Sequence, residues 1–147
     1  MQKLFQDTFA IPKIELHAHI GGCLRAETFL ELAEERGANV DNIDFYNVTV
    51  ASAFEIFKVV GQIMIDLDSL ERVIREIIVD YSKQNCAYLE LRSTPKSLLI
   101  DRLTGAKGSM KDYIDRVLKA IKEGEQAEGK SIRVRYIASI NRGSPID

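Results

Sequence analysis

The sequence predicts an α/β fold whose strands run parallel in one sheet. Three short segments have the pattern of strands, at residues 12–20, 86–94 and 132–140. Longer stretches between them carry apolar residues at helical spacing, most clearly at 68–84 and 109–128. Strands that alternate with helices are typical of parallel α/β organisation, because each helix returns the chain to the same end of the sheet.

The first predicted strand holds both histidines of the chain. Side chains alternate in an extended strand, so Glu15, His17 and His19 are predicted to share one face. The opposite face is then an apolar wall made of Ile14, Leu16, Ala18 and Ile20. Gly21 and Gly22 break the strand, which places the histidines at its carboxyl end, at the start of a βα turn. That end of the strands is where α/β barrels carry their chemistry.

Two imidazoles at positions i and i+2 can reach one metal ion from the same side, and zinc is the usual metal in nitrogen-rich sites. A catalytic zinc normally takes three protein ligands and keeps one position open for water, whereas His17 and His19 supply two. The motif by itself leaves a second interpretation open, in which both are ordinary polar residues at a strand end.

The helices are predicted from apolar spacing and from their ends. The first is expected over Glu27–Arg36 with Gly37 at its C-terminus, and the clearest over Asp68–Gln84, where Asp68 and Glu71 suggest an acidic capping box. Ser109 and Asp112 are predicted to cap the last helix, which runs to about Glu128 with Gly129 ending it. Its inward face is predicted to carry Tyr113, Val117, Leu118 and Ile121.

Residues 53–60 form a further helical stretch, in which Phe54, Phe57 and Val60 recur on one face. These side chains are interpreted either as the lining of a ligand pocket or as ordinary core. Leu98–Gly108, after the second strand, is predicted to be a loop. Met1–Ile11 is a short lead-in to which we assign no chemistry.

The polar faces of the strands favour a barrel over an open two-layer sheet. Glu15, Glu90, Arg92 and Arg135 would point the same way if the three strands lie side by side. Charges inside a barrel are tolerated when they are paired, so we expect two acids and two arginines to form a buried network beneath the histidines. The alternative is that they lie at exposed strand edges.

Composition excludes several classes of protein. With 20 basic and 22 acidic residues and a net charge of −2, the chain offers no electrostatic case for nucleic acid or an anionic membrane. Cys23 and Cys86 lie far apart and predict neither a disulfide framework nor a thiolate zinc site. No segment resembles a signal peptide or a membrane helix, so the expectation is a soluble, cytoplasmic protein.

Three motifs resemble the adenosine deaminase family of the amidohydrolase superfamily. Pro12-Lys13-Ile14-Glu15-Leu16-His17-Ala18-His19 is similar to that family's first strand. Tyr88-Leu89-Glu90-Leu91-Arg92-Ser93-Thr94-Pro95-Lys96 and Val134-Arg135-Tyr136-Ile137, with Asn141-Arg142, resemble the second and third strands of the adenosine deaminase-like branch that acts on N6-methyl-AMP. The resemblance runs from about Ile11 to Pro145, and the whole of residues 1–147 is expected to be one partial hydrolase domain.

The resemblance implies the N-terminal portion of a (β/α)8 TIM barrel, with about three βα units. A complete barrel of this type usually needs about 250 residues, so the 147 residues here are expected to be incomplete. It also implies zinc-dependent hydrolytic deamination at purine C6, in which zinc lowers the pKa of a water molecule that attacks the ring.

His17 and His19 would be the first two zinc ligands of that site. The family's remaining site residues come from later strands, namely the general acid/base glutamate and further His and Asp residues, and they are expected beyond Asp147. The resemblance therefore predicts that this chain by itself contains no catalytic residue.

For substrate binding, the resemblance points to His19, Gly21, Gly61, Ser93, Thr94, Pro95, Lys96 and Asn141. Lys96 and the hydroxyls of Ser93 and Thr94 are suited to a phosphate, which favours a purine nucleotide over a nucleoside. Three positions depart from the family pattern, because Gly21 stands for Asp or Asn, Gly61 for a histidine of the nucleotide branch, and Asn141 for an acid. Those departures leave the choice between nucleotide and nucleoside open.

Two functions follow. The first is a zinc-dependent deaminase that converts N6-methyl-AMP or adenosine to IMP or inosine, with this chain lacking the later catalytic residues. The second is a non-catalytic fragment or pseudoenzyme that only binds or assembles. An open sheet of three strands would also expose an edge and an apolar face, which predicts self-association.

Overall fold

The computed structural model describes residues 9–129 and 131–141, and for Ala51 only the backbone. Three parallel strands form the main sheet in the order β1-β2-β5, namely β1 (Lys13–His19), β2 (Cys86–Ser93) and β5 (Arg133–Ala138). A 3-10 turn at Ile20–Gly22 follows β1. The helices are α1 (Ala26–Glu35), α2 (Val50–Ile63), α3 (Leu67–Lys83) and α4 (Met110–Ala127). The predicted α/β fold with parallel strands is therefore confirmed.

Some of the sequence-based expectations fall outside the described residues. These are most of the lead-in that begins at Met1, Arg142 of the third motif, and the end of the family resemblance at Pro145. Asp147 also lies outside them. The general acid/base glutamate and the later His and Asp residues, which are expected beyond Asp147, therefore stay a prediction.

The segment predicted as a loop at Leu98–Gly108 is instead a small antiparallel hairpin of β3 (Leu99–Asp101) and β4 (Ala106–Lys107). Its turn is closed by Asp101, whose Oδ1 accepts from the amide of Leu103 at 2.8 Å, and by Gly105 at φ +69°. Leu99 also donates its amide to the carbonyl of Ile65 at 2.8 Å. The hairpin is thereby attached to the start of α3, a contact that the local sequence does not indicate.

The core lies where α3 and α4 pack on one face of the sheet. Leu89 and Leu91 of β2 are fully buried. The buried stripe of α3 contains Leu70, Val73, Ile74, Ile77 and Ile78, as the helical spacing predicted. In α4 the prediction was wrong for Leu118, which is 51% exposed, because it lies one position beyond the buried face formed by Tyr113, Val117, Ala120 and Ile121.

The helix ends are mostly as predicted. Ser109 and Asp112 form the capping box of α4, and Gly129 adopts φ +61° after it. The cap of α3 was predicted wrongly: Asp66, not Asp68, accepts the amide of Ser69 at 2.7 Å. Asp68 lies in the first turn and pairs with Arg116 of α4 at 2.7 Å.

β1 carries a bulge that overturns the predicted alternation of its side chains. Glu15 lies opposite Leu89 and Ala18 opposite Leu91, so three steps along β1 match two along β2. Glu15 therefore shares the face of the buried Leu89. There its charge adds to the effect of burial in raising the pKa of Tyr81 and of Cys23. The predicted apolar wall is also wrong in part, because Ile14 and Leu16 are 68% and 55% exposed while Ala18 and Ile20 are buried.

The charged network predicted beneath the histidines does not form among the described residues. Glu90 accepts from the hydroxyl of Tyr88 at 2.9 Å, and Arg135 donates to the carbonyl of Val134 at 2.9 Å. Arg92 donates to a backbone carbonyl of β1 rather than to a carboxylate. The register shift explains the difference, since it moves Glu15 to the other face of the sheet.

Candidate metal and ligand site

The two histidines form a close pair at the carboxyl end of β1. Their Nε2 atoms are 3.1 Å apart and both side chains are exposed. Desolvation, and then the charges of His17 and Arg92, lower the pKa of His19. A lowered pKa favours the neutral imidazole at physiological pH, which is the form that binds metals.

The spacing of the pair suits a shared metal ion. Two nitrogens bound tetrahedrally to zinc at about 2.0–2.1 Å lie about 3.3 Å apart, close to the 3.1 Å between the two Nε2 atoms. In the part of the chain that the structure describes, no cluster of three or more metal-binding side chains occurs. His17 and His19 thus fit two positions of a zinc site.

A cavity of about 240 Å³ opens at the same end of the strands. It lies between the turn after β1 and the end of β2, and its lining includes Gly21 and the polar residues Ser93, Thr94 and Lys96. Apolar side chains form the rest of the wall, namely Ile20, Val60, Met64, Leu70 and Leu98, with Tyr113. Such a cavity, apolar with a few convergent polar groups, is typical of a small-molecule site.

Two tyrosines hold the hydroxyl of Ser93 in place. Tyr113 of α4 donates to Ser93 Oγ at 2.8 Å, and the hydroxyl oxygen of Tyr136 of β5 lies 3.1 Å from the same atom. Tyr136 also donates to the carbonyl of Ser93 at 3.2 Å. Burial raises the pKa of Tyr113 to about 12, so its hydroxyl stays protonated and remains a donor at neutral pH.

Lys96 is the cation in the lining of this cavity. The residue as a whole is exposed, but desolvation of its ammonium group against the cavity wall lowers its pKa. The short segment that carries it is anchored just beyond by Ser97, whose hydroxyl donates to the carbonyl of Gly108. A positive charge beside two hydroxyls is an arrangement that suits an anionic ligand.

Gly21 allows α2 to approach the turn after β1. A Cβ atom added at Gly21 would lie 3.3 Å from Cγ1 of Val60, a tight contact. The same close approach shapes a second, more apolar cavity of about 210 Å³, lined by Gly21, Gly22, Phe57 and Val60 among others. Of the two predicted aromatics on α2, Phe57 lines this cavity and Phe54 is 67% exposed, so neither belongs to the buried core.

Four predicted substrate-binding residues are absent from the lining of the 240 Å³ cavity, and one of them is His19, which lies in the histidine pair of β1. Gly61 is exposed on α2, where an added Cβ would meet nothing within 4 Å. Pro95 is half-buried between Thr94 and Lys96, and Asn141 is exposed three residues beyond the end of β5. Their role in binding stays a prediction.

Sequence reasoning missed Tyr113 and Tyr136 as partners of Ser93. The sequence predicts Tyr113 only as a packing residue, because it lies on the apolar stripe of α4, and Tyr136 only as part of a strand motif. A buried tyrosine needs a partner for its hydroxyl, which is the one signal that could have drawn attention to Tyr113. Cys23 and Cys86 are free thiols.

Parallel βα units that carry a pair of imidazoles, with a cavity containing a few polar groups at the carboxyl ends of the strands, define the class: part of an α/β-barrel domain with a candidate metal site. The sequence model of the family described as Adenosine deaminase matches residues 12–146. Two curated relatives are an N6-methyl-AMP deaminase of Mus musculus, 34% identical over 92% of this chain, and an adenosine deaminase of Clostridium perfringens, 32% identical over 93%. The chain belongs to the adenosine deaminase family.

The fold agrees with that assignment. The apo structure of the N6-methyl-AMP deaminase from Arabidopsis thaliana matches 95% of this chain with a TM-score of 0.76 and 30% identity, and Arabidopsis ADAL complexed with IMP matches with a TM-score of 0.72. The chain covers 43% of each of these structures, and 38% and 42% of the mouse and Clostridium relatives. It therefore spans about two-fifths of their length and corresponds to about three βα units of the (β/α)8 barrel. Across the described residues, no helix combines the length and apolar character needed to cross a membrane.

Proposed function

We propose that this chain forms the part of a cytoplasmic, zinc-dependent purine deaminase that holds two of the zinc ligands and the anion-binding side of the substrate pocket. The observation that carries the proposal is the placement of His17 and His19, with Nε2 atoms 3.1 Å apart, at the same end of the sheet as a cavity lined by Ser93, Thr94 and Lys96. When bound, zinc would activate water for attack on the purine ring.

The residues of this chain would have distinct roles. His17 and His19 would hold the metal through their Nε2 atoms as neutral imidazoles. Lys96 would pair with a phosphate group as a mobile cation, and the hydroxyl of Thr94 would donate to its oxygens. Ser93, whose hydroxyl is bonded to Tyr113 and Tyr136, would line the pocket beside them. The apolar wall around Val60, Met64 and Leu98 would exclude water from one side of the ligand.

A nucleotide is the substrate class that the cavity favours. A nucleoside has no anionic group for Lys96, whereas a nucleoside monophosphate does. The Arabidopsis relative complexed with IMP is consistent with a nucleotide. We therefore propose N6-methyl-AMP as the first substrate to test and adenosine as the second.

The test measures zinc content and turnover of the purified 147-residue chain after dialysis against trace zinc. Release of methylamine from N6-methyl-AMP, with stoichiometric zinc that is lost in His17→Ala and His19→Ala, would support catalysis by this chain. Zinc or nucleotide binding without turnover would support the second function, a non-catalytic binding domain. If the chain bound neither zinc nor nucleotide, both proposed functions would be overturned.

The substrate class has its own control. Lys96→Met is expected to weaken N6-methyl-AMP binding at least about tenfold and adenosine binding little, because only the nucleotide carries a phosphate. Lys107→Met removes an exposed lysine of β4 that is absent from the cavity lining and should change neither affinity. Equal losses for both ligands in Lys96→Met would contradict the phosphate role.

A further inference from the structure

One peptide unit of β1, the unit joining Leu16 to His17, lies at the bulge of the sheet. The register passes from Glu15 opposite Leu89 to Ala18 opposite Leu91, so this stretch of β1 contains one residue more than its partner. A bulge disrupts the ladder of backbone hydrogen bonds locally. The carbonyl of Leu16 and the amide of His17 therefore need other partners.

Two side chains provide them. The amide of His17 donates to Glu15 Oε1 at 2.7 Å, and Nη2 of Arg92 donates to the carbonyl of Leu16 at 3.4 Å. These are the two polar groups of a single peptide unit, held from opposite ends by a carboxylate and a guanidinium. Arg92 is well placed for this contact because it lies opposite His19 in the register of β1 and β2.

The bulge also decides what shares a face with the histidines. It moves Glu15 away, to the side of Leu89, and turns Ala18 into the core with Leu91. His17 and His19 then meet with their Nε2 atoms 3.1 Å apart. The orientation of the peptide between Leu16 and His17 sets the direction of the His17 side chain, so whatever holds that peptide also holds the pair.

We propose that Glu15 and Arg92 are positioning residues for the histidine pair: they hold the bulged peptide between Leu16 and His17 and thereby direct both imidazoles at one metal ion. The ligand named here rests on the proposed zinc function. The positioning itself is a property of the metal-free chain and is tested separately from zinc binding.

The competing explanation is that Glu15 would act by its charge, attracting any cation near β1. The variant Glu15→Gln separates the two, because an amide oxygen still accepts from the amide of His17 but carries no charge. Positioning predicts that Glu15→Gln behaves like the wild type and that Glu15→Ala does not. A pure charge effect predicts that both variants lose the same amount of Zn²⁺ affinity.

The first arm uses NMR on the metal-free chain. The wild type should show a nuclear Overhauser effect between the two imidazole rings and a downfield His17 amide. Glu15→Ala and Arg92→Met should weaken the Overhauser effect between the rings. Glu15→Ala should also shift the His17 amide resonance upfield. Glu90→Gln and Arg135→Met are matched controls on neighbouring strand positions and should leave both signals unchanged. Should Glu15→Ala not fold, Arg92→Met tests the same peptide from its other end.

The second arm titrates the same variants with Zn²⁺ against a chromophoric chelator. Partners that orient metal ligands typically contribute about 10–100-fold to metal affinity, so Glu15→Ala should lose at least about tenfold and Glu15→Gln less than about threefold. Unchanged ring contacts in Glu15→Ala and Arg92→Met, or equal loss of affinity in Glu15→Ala and Glu15→Gln, would overturn the proposal. A wild type that binds no Zn²⁺ would overturn the zinc function, while the ring contacts would still decide whether the peptide is held.

Discussion

At the scale of single residues, Asp66 is the most buried charged residue in the part of the chain that the structure describes. Its side chain is 4% exposed and contacts Arg36, itself 7% exposed, at 2.8 Å. Burial by itself opposes the charge on Asp66, but hydrogen bonds from the amide and hydroxyl of Ser69 and from Arg36 outweigh it and lower its pKa. The pair joins the end of α1 to the start of α3, and Arg102 of the hairpin lies 3.7 Å from the same carboxylate.

The variant Asp66→Ala is expected to be strongly destabilised, because it removes the cap of α3 and the buried carboxylate that pairs with Arg36, which keeps only the more exposed Glu35 as an ion-pair partner. Breaking a buried pair from one side typically costs about 3–5 kcal/mol in the free energy of unfolding. Asp68→Ala is the control, since that side chain is 79% exposed and its loss should cost less than about 1 kcal/mol. Urea denaturation of both variants measures the difference, and equal costs would contradict the assignment of Asp66 as the cap.

The same carboxylate predicts a pH dependence. Since the pKa of Asp66 is lower in the folded chain than in the unfolded chain, its contribution to stability is present above the unfolded value of about 3.8. It is lost as the pH falls below that value and through the folded pKa. The wild type should therefore lose more stability than the Asp66→Leu variant when urea denaturation is repeated between about pH 5 and about pH 3. Equal slopes would show that other groups control acid unfolding.

At the scale of elements, the crossing of α3 and α4 depends on Gly124. A Cβ atom added there would lie 2.6 Å from Cδ1 of Ile78 and 3.4 Å from its Cβ and Cγ2 atoms. Both residues are buried, so the helices approach as closely as they do because position 124 has no side chain. Ion pairs also join these two helices, such as Arg116 with Glu71 at 3.0 Å.

Gly124→Ala is expected to destabilise the chain by about 1–2 kcal/mol, because overpacking outweighs the better helix propensity of alanine. Ile78→Val removes Cδ1, the atom in closest contact, and should partly rescue Gly124→Ala. A double-mutant cycle by urea denaturation should therefore show a favourable coupling of about 1 kcal/mol. Gly61→Ala, on the open side of α2, should instead stabilise by about 0.5–1 kcal/mol. Additive effects at positions 78 and 124 would contradict the close crossing.

At the scale of the whole molecule, the main sheet has two edge strands, since β1 and β5 flank β2. Ile14, Leu16 and Ile140 are 68%, 55% and 89% exposed, while Leu89 and Leu91 on the helix side are buried. Exposed apolar side chains beside open strand edges favour association with another surface of the same kind.

We expect the 147-residue chain to self-associate through the exposed apolar side chains of β1, Ile14 and Leu16. Ile14→Lys should shift the equilibrium toward monomer by at least about tenfold in the dissociation constant, because it places a charge where apolar contact is expected. Val50→Lys is the control: Val50 is 79% exposed at the start of α2, away from the strands. Analytical ultracentrifugation over a range of concentrations measures the effect. A monomeric wild type, or equal effects of both variants, would contradict the prediction.

Much of the fold could be predicted from local patterns. The apolar stripe of α3, the capping box at Ser109 and the parallel arrangement of the strands were all evident from the sequence and are confirmed. The hairpin at Leu99–Lys107 and the cap at Asp66 were not. The hairpin is anchored by the carbonyl of Ile65, and Asp66 is paired with Arg36, 30 positions earlier.

For the candidate site, the sequence identified the histidine pair and the polar residues Ser93, Thr94 and Lys96, because these lie within two short motifs. It did not reveal that Tyr113 and Tyr136 hold Ser93, or that Glu15 lies on the far face of the sheet from the histidines. Those facts depend on which residues become neighbours across the sheet, and strand register is not encoded within either strand alone.

Periodicity, caps and motifs therefore determine the class of fold, the family and the residues able to bind a metal, since each depends on side chains within a few positions of one another. Packing alone decides the bulge in β1, the closeness of the two imidazoles and the cavity at the same end of the sheet. The reason is physical: an unpaired peptide at a bulge must find hydrogen bonds wherever the fold supplies them, and here it finds Glu15 next to it and Arg92 on the neighbouring strand.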